Sequence, residues 1–213
     1  MKKLLLSAFA LCFAGTIAAQ EAPLWMRYCA LSPDGTTIAF TYKGDIYTVP
    51  STGGRATQIT TNPAFDTEPV WSPDSKQIAF ASDRMGSLDI FVVSSEGGAP
   101  QRLTTHSGSE KPVAYKDNKH ILFTANIAPS AEDAGFPSGQ FQQVYEVAVT
   151  GGRPAMFSSM PMECISINKE GVMLYQDKKG YEDPWRKHHQ SSITRDIWLC
   201  TLGPERSFQK ITS

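Results

Sequence analysis

Hydrophobic positions along this chain come in short bursts separated by polar, Gly- and Pro-rich punctuation. Between residues 29 and 61 the bursts read CAL, TIAF, DIYTV and QIT, parted by SPDGT, by KG and by a Gly-Gly turn. Bursts this short, rich in β-branched and aromatic residues and bounded by turn signals, predict strands rather than helices. The turn chemistry agrees. Pro presets φ at the first corner, Asp or Asn caps its own backbone, and Gly takes the left-handed position that side chains disfavour.

The block recurs. CALSPDGTTIAFTYKGDIYTVPSTGGRATQITT (29–61) is echoed by PVWSPDSKQIAFASDRMGSLDIFVVSSEGGAPQRLTT (69–105). PVAYKDNKHILFTAN and QVYEVAVTGGRPAMFSS repeat the scheme more weakly across 112–159, and a fourth copy runs from Cys164 through NKEGVMLY, DIWLCTLGPERSFQ and KITS. Four antiparallel strands in about 40 to 50 residues is the size of a propeller blade. The expected fold is therefore all-β, a β-propeller with four four-stranded blades at approximately 25–61, 62–105, 106–159 and 160–213. Four is the lower limit for a closed ring, so an incomplete ring is expected. Trp71, Phe40, Phe80, Phe123 and Tyr175 recur at one phase of the repeat, as packing between blades requires.

Repeat length grows mostly in one connection, from second strand to third. It covers residues 41–44, 81–88, 124–142 and 176–195 in successive units. Alternate connections of a meander share an end, so these connectors are expected at one mouth of the ring, where repeat arrays tend to build binding surfaces.

Composition narrows the class. The chain is 41% hydrophobic and 19% charged with a formal net charge of -1, enough apolar material for a core and no basic block to track a nucleic-acid backbone. No nucleic-acid partner is expected. MKKLLLSAFALCFAGTIAAQ has Lys2 and Lys3, an apolar run to about Ile17 and small residues at Ala18 and Ala19. It reads as a signal peptide over 1–19 that is cleaved on export, leaving a periplasmic or secreted product with no membrane segment in its mature form. Cys12 leaves with that segment. Cys29, Cys164 and Cys200 remain, in strand-like settings where a small buried hydrophobe is the common role.

PVWSPDSKQIAFASDRMGSLDIFVV resembles the propeller repeats of TolB-like and tricorn-protease-like proteins. Taken with GDIYTVPSTGGRATQIT and YEDPWRKHHQSSITRDIWL, the resemblance is strongest to the N-terminal propeller of exported tricorn-like serine peptidases, across residues 23–213. It implies a propeller that filters or steers peptides ahead of a PDZ domain and a peptidase domain. The chain stops at Ser213, before either, so no catalytic residue of the family has a position here and the expected partners are a peptide or protein and the remainder of a larger peptidase chain. A stand-alone TolB-like scaffold for envelope proteins is the alternative.

The densest polar stretch, GYEDPWRKHHQSSITRDIW (180–198), fills the fourth long connector. Adjacent histidines on an extended loop diverge, and only Glu182 and Asp183 stand near His188 and His189, so a metal site is not expected. Two readings stand for the stretch: a structural loop, or a surface on which Trp185, Arg186, His188 and His189 offer stacking area and donors to a peptide or docking domain. Arg84, after the second IAFAS, belongs to an ion pair or turn with Asp83, or faces substrate from the connector mouth. GFPSG (135–139) misses the Gly-x-Ser-x-Gly register. Without a Walker loop, a His-Glu-x-x-His or a dinucleotide glycine pattern, no cofactor and no catalytic set are expected.

Overall fold

The computed structural model describes residues 25–127, 142–168, 170–177, 195–203 and 205–212. The signal-like segment and most of the third and fourth long connectors lie outside them. Blade 1 consists of β1 (Arg27–Leu31), β2 (Thr37–Tyr42), β3 (Asp45–Pro50) and β4 (Thr57–Gln58); blade 2 of β5 (Asp66–Trp71), β6 (Gln77–Ser82), β7 (Asp89–Ser94) and β8 (Gln101–Arg102). Blade 3 has β9 (Lys111–Asp117), β10 (His120–Ala125), β11 (Gln143–Ala148) and β12 (Ala155–Ser158), and blade 4 has β13 (Met162–Ile167), β14 (Val172–Asp177), β15 (Ile197–Thr201) and β16 (Ser207–Lys210). Each blade is a four-stranded antiparallel meander in sequence order, and together they form a four-bladed propeller arrangement. First strands pack on first strands, β1 on β5, β5 on β9 and β9 on β13, so they are the inner edge of every blade.

The turn between first and second strands is set by its own side chains. In blade 1, Asp34 Oδ1 accepts the Ser32 hydroxyl at 2.6 Å and the Thr36 N–H at 3.0 Å, while Ser32 Oγ accepts the Thr37 N–H at 3.0 Å. Blade 2 copies it through Ser72 and Asp74, with Ser75 at φ 60° where blade 1 has Gly35 at φ 76°. These turns also touch one another: Asp34 N–H donates to Ser75 Oγ at 3.3 Å, and Asp74 N–H to Asn118 Oδ1 at 3.1 Å.

Packing between blades follows one rule. In blade 2, Ile78, Phe80, Phe91 and Val93 share a face and bury against Ala39 and Ile46 of blade 1. Blade 3 lays Ile121, Phe123, Tyr145 and Val147 on Ala79, Ile90 and Val92 of blade 2, and blade 4 lays Met173, Tyr175 and Cys200 on Leu122 and Val144 of blade 3. Cross-strand rings within this row stack alike, with centroids 5.9 Å apart for Phe40–Tyr47 and Phe80–Phe91 and 5.7 Å for Phe123–Tyr145. Trp71, Phe40, Phe80, Phe123 and Tyr175 are all buried, as their recurrence predicts. Among the described residues no hydrophobic cluster joins blade 4 back to blade 1.

Two cysteines correct the expectation of burial. Cys200 is buried, but Cys29 and Cys164 are exposed. The cause is a bulge in the inner strand, where the register slips between Arg27 and Ala30, Thr67 and Val70, and Glu163 and Ser166. At each slip a non-Gly residue takes a left-handed φ: Tyr28 at 54°, Glu68 at 55°, Cys164 at 52°. The bulge breaks the two-residue alternation on which the burial expectation rested.

Because Phe80 is fully buried between blades 1 and 2, Phe80→Ala is expected to cost about 3 to 5 kcal/mol in urea unfolding, against about 0.5 kcal/mol or less for Thr57→Ala on exposed β4.

Candidate functional site

The four inner strands and the turns that follow them enclose an axial cleft of about 910 Å³. Its apolar floor comes from one strand of every blade: Ala30 and Leu31, Val70, Val113, and Ile165 with Ile167. The rim carries Asp74, Asp117 and Glu170, with Lys116 as the lone cation among the lining residues. Lys116 Nζ is already held by Glu146, at 2.8 and 3.0 Å. The Ser72 hydroxyl, ahead of the Lys76 N–H, holds the Asp74 carboxyl below its ordinary range. Burial pushes Asp117 up, but His120 and the Lys119 N–H outweigh it and leave this carboxyl low as well. An apolar floor beneath an ionised acidic rim suits an extended chain with apolar and basic side chains.

The opposite mouth bears the second-to-third-strand connectors 41–44 and 81–88 and the facing strand ends at Ala125, Gln143, Asp177 and Ile197. There two inner strands are tied at their start to the preceding blade: Asp66, the first residue of β5, donates its N–H to Gly44 O, and Glu110, immediately before β9, donates its N–H to Leu88 O, both at 2.7 Å. In blades 1, 2 and 4 a threonine on the closing segment braces the third strand: Thr60 Oγ1 accepts the Ile46 N–H (2.9 Å), Thr104 Oγ1 the Ile90 N–H (2.9 Å) and Thr212 Oγ1 the Ile197 N–H (3.0 Å). Carboxylates cluster on this scaffold. Burial first, and the Asp66 charge second, push Asp45 up. Asp89 is fully buried and lifted by burial, although Arg102 Nη2 reaches it at 2.8 Å.

Of the residues singled out in the sequence, Arg84 is the one that falls within the described region. Its Nη2 meets both Asp66 oxygens at 2.9 Å, its Nε donates to Ser82 Oγ at 2.9 Å, and the guanidinium lies 4.5 Å from the Phe91 ring centroid. Asp66 has no exposed surface and the Arg84 side chain is 13% exposed, so most of this cation serves the blade's own buried acid. Asp83 anchors a turn by accepting the Phe65 N–H at 2.7 Å. Trp185, Arg186, His188, His189 and the 135–139 segment lie outside the described residues.

Sequence reasoning missed Glu110. The strand registers and the paired N–H contacts place it in blade 3 where Asp66 stands in blade 2. At the position of Arg84, however, blade 3 has Ile127. Glu110 is thus fully buried without an arginine from its own blade, and neither carboxylate oxygen has a well-formed hydrogen bond. Burial raises its pKa to about 7, opposed by the Thr104 hydroxyl beside it and by Arg102, and reinforced by Asp89. The signal was present as a mismatch: SGSEKP keeps an acid before the strand while TANI drops the arginine after the next.

Serial four-stranded meanders, each docked by an aromatic row on the blade before it around a shared cleft, define a β-propeller. The chain belongs to the family described as the Tricorn protease N-terminal beta propeller domain, which matches residues 23–213. Tricorn protease homolog 1 of Streptomyces coelicolor is 36% identical over 180 residues, covering 84% of this chain and 16% of that protein's length. Among solved structures, the tricorn protease superposes with a TM-score of 0.65 at 18% identity, over 90% of this chain and 18% of that one. A putative TolB from Agrobacterium tumefaciens superposes with a TM-score of 0.60 at 23% identity, over 86% and 66% of the two chains. At these identities the two structures establish the fold alone.

A carboxyl whose folded pKa lies above its unfolded one contributes fully below the unfolded value and loses that contribution as pH rises through the folded value. Glu110 therefore weakens the fold between its ordinary 4.5 and about 7. Glu110→Gln is expected to be more stable than the parent by up to about 3 kcal/mol at about pH 8, with the gap closing toward about pH 4, as read by urea unfolding across pH. Arg84→Met leaves Asp66 buried without its cation, and is expected to cost about 3 to 5 kcal/mol at neutral pH in the same assay.

Proposed function

We propose that this chain is the non-catalytic propeller portion of an exported tricorn-like serine peptidase, where it binds or steers peptide substrate and docks against other domains. One observation carries the reading: an axial cleft of about 910 Å³ with an apolar floor drawn from all four blades and an acidic rim. Such a cleft takes an extended peptide lengthwise, with apolar side chains on the floor and Lys or Arg at the rim. Membership in the tricorn propeller family supports the same assignment. The leader MKKLLLSAFALCFAGTIAAQ supports export. A peptide that reaches the rim from the connector mouth passes the strand ends from which residues 128–141 and 178–194 depart, which gives Trp185, Arg186, His188 and His189 their proposed role as contacts.

Binding is expected to be electrostatically assisted and so weakened by salt. The test is fluorescence anisotropy of residues 20–213 with a labelled decapeptide of Leu and Lys residues. Asp74→Asn with Asp117→Asn retains an oxygen for the turn N–H groups while removing two rim charges, and should weaken binding several-fold. The purified chain should hydrolyse no peptide. An affinity unmoved by the double substitution would remove the cleft as the binding site, and reproducible turnover would remove the non-catalytic assignment.

A further inference from the structure

A second cavity, of about 320 Å³, lies outside the axial cleft in the junction between blades 1 and 2. Thr48 and Thr57 wall it on blade 1 and Ser75 and Ser95 on blade 2, with Asp34 and Glu96 beside them. Val49, Pro50 and Trp71 supply apolar surface. No Lys, Arg or His stands among the described residues that line it.

This cavity is a departure from the repeat. Thr48 lies across from Ala39 and Thr57 across from Thr48, whereas the same positions in blade 2 are Val92, across from Ala79, and Gln101, across from Val92. Val92 packs into the cluster that joins blades 2 and 3, and Gln101 Nε2 donates to Thr150 O of blade 3 at 3.2 Å. One junction is filled by a branched apolar side chain and a long amide where the other keeps two short hydroxyls.

Two polar groups on its wall are left over. Thr48 is 8% exposed, yet its hydroxyl makes no hydrogen bond among the described residues, and a buried hydroxyl in that state is costly until something meets it. The bonds that Asp34 accepts fall on Oδ1, from the Ser32 hydroxyl at 2.6 Å, the Thr36 hydroxyl at 2.8 Å and the Thr36 N–H at 3.0 Å, so Oδ2 is spare. Those donors, the Ser32 hydroxyl foremost, hold the Asp34 carboxyl below its ordinary range.

The lining selects the ligand. Acids without a cation favour a positive charge, and hydroxyls around them accept from a group that carries several donors. Trp71 is 7% exposed and its Nε1–H is spent on Ala30 O at 3.0 Å, so its ring closes a wall rather than offering a face on which a sugar could stack. We propose that this pocket binds a primary alkylammonium group, its charge met by Asp34 and Glu96, its N–H donors by the hydroxyl wall and its carbon stem by Val49, Pro50 and Trp71. A lysine side chain of a peptide and a free aliphatic amine both carry that group. The inference rests on this cavity alone and does not depend on the peptide reading of the axial cleft.

Amide NMR of residues 20–213 tests it, with pentylamine as the probe and pentanol as its uncharged match. Pentylamine should shift the amides of Thr48, Thr57 and Ser95 saturably, with a Kd on the order of 1 mM, while pentanol leaves them in place. Thr48→Val with Thr57→Gln gives blade 1 the pair that blade 2 already accommodates and should abolish the shifts, the remaining amides serving as the check of fold. Glu96→Gln should weaken binding several-fold. Acetyl-lysine amide separates the two sources: matching shifts assign the pocket to a lysine side chain, and shifts from pentylamine alone assign it to free amines. Equal shifts from pentanol, or shifts that survive Thr48→Val with Thr57→Gln, would overturn the proposal. A spectrum unmoved by pentylamine at many times that concentration would overturn it too.

Discussion

A twisted sheet with an apolar face must cover that face, and here blades 1, 2 and 3 are each covered by the aromatic row of the blade that follows. The row is short: an Ile-x-Phe or Met-x-Tyr pair on the second strand and an aromatic with Val or Cys on the third. It seats on small or branched residues of the preceding sheet, Ala39 with Ile46, Ala79 with Ile90, and Leu122 with Val144. Large against small is what allows wedge-shaped blades to reach close packing without voids. Stability in such an array is close to a sum of repeat terms and neighbour terms, so each junction matters more than any single strand.

Polar devices at the two mouths follow from this packing. At one mouth the Ser-Pro-Asp turns hold their own shape and pass one hydrogen bond to the next turn, which aligns the rim acids around the cleft. At the other, backbone contacts from Asp66 to Gly44 and from Glu110 to Leu88 draw acids into the junction between blades. Blade 2 neutralises its acid with Arg84, and blade 3 has Ile127 in that place and leaves Glu110 with a pKa that burial raises to about 7. Glu110 thereby makes the junction between blades 2 and 3 sensitive to pH between its ordinary 4.5 and about 7.

Most of the fold was legible because the repeat writes it several times. Turn residues, strand bursts and the phase of Phe40, Phe80 and Phe123 all report the same meander, and local and global signals agree. Cys29 and Cys164 were misjudged because an inner-strand bulge breaks alternation, and nothing in RYCAL or MECISI announces a left-handed residue. The cleft was harder to foresee. Asp74 and Asp117 look like turn residues, which they are, and their second role comes only from four turns meeting around an axis. Arg84 was legible as an ion-pair former, but its partner Asp66 stands eighteen positions earlier on a different strand, a pairing that only the sheet register reveals.

Native-state hydrogen exchange, resolved by residue on dilute residues 20–213, tests the serial packing most directly. Blades 2 and 3 have a neighbour on both sides, so β6, β7, β10 and β11 should exchange slowest, with protection falling toward β2 and β3 at one end and β14 and β15 at the other. Uniform protection across all four blades, or slowest exchange in blade 1 or blade 4, would contradict the account.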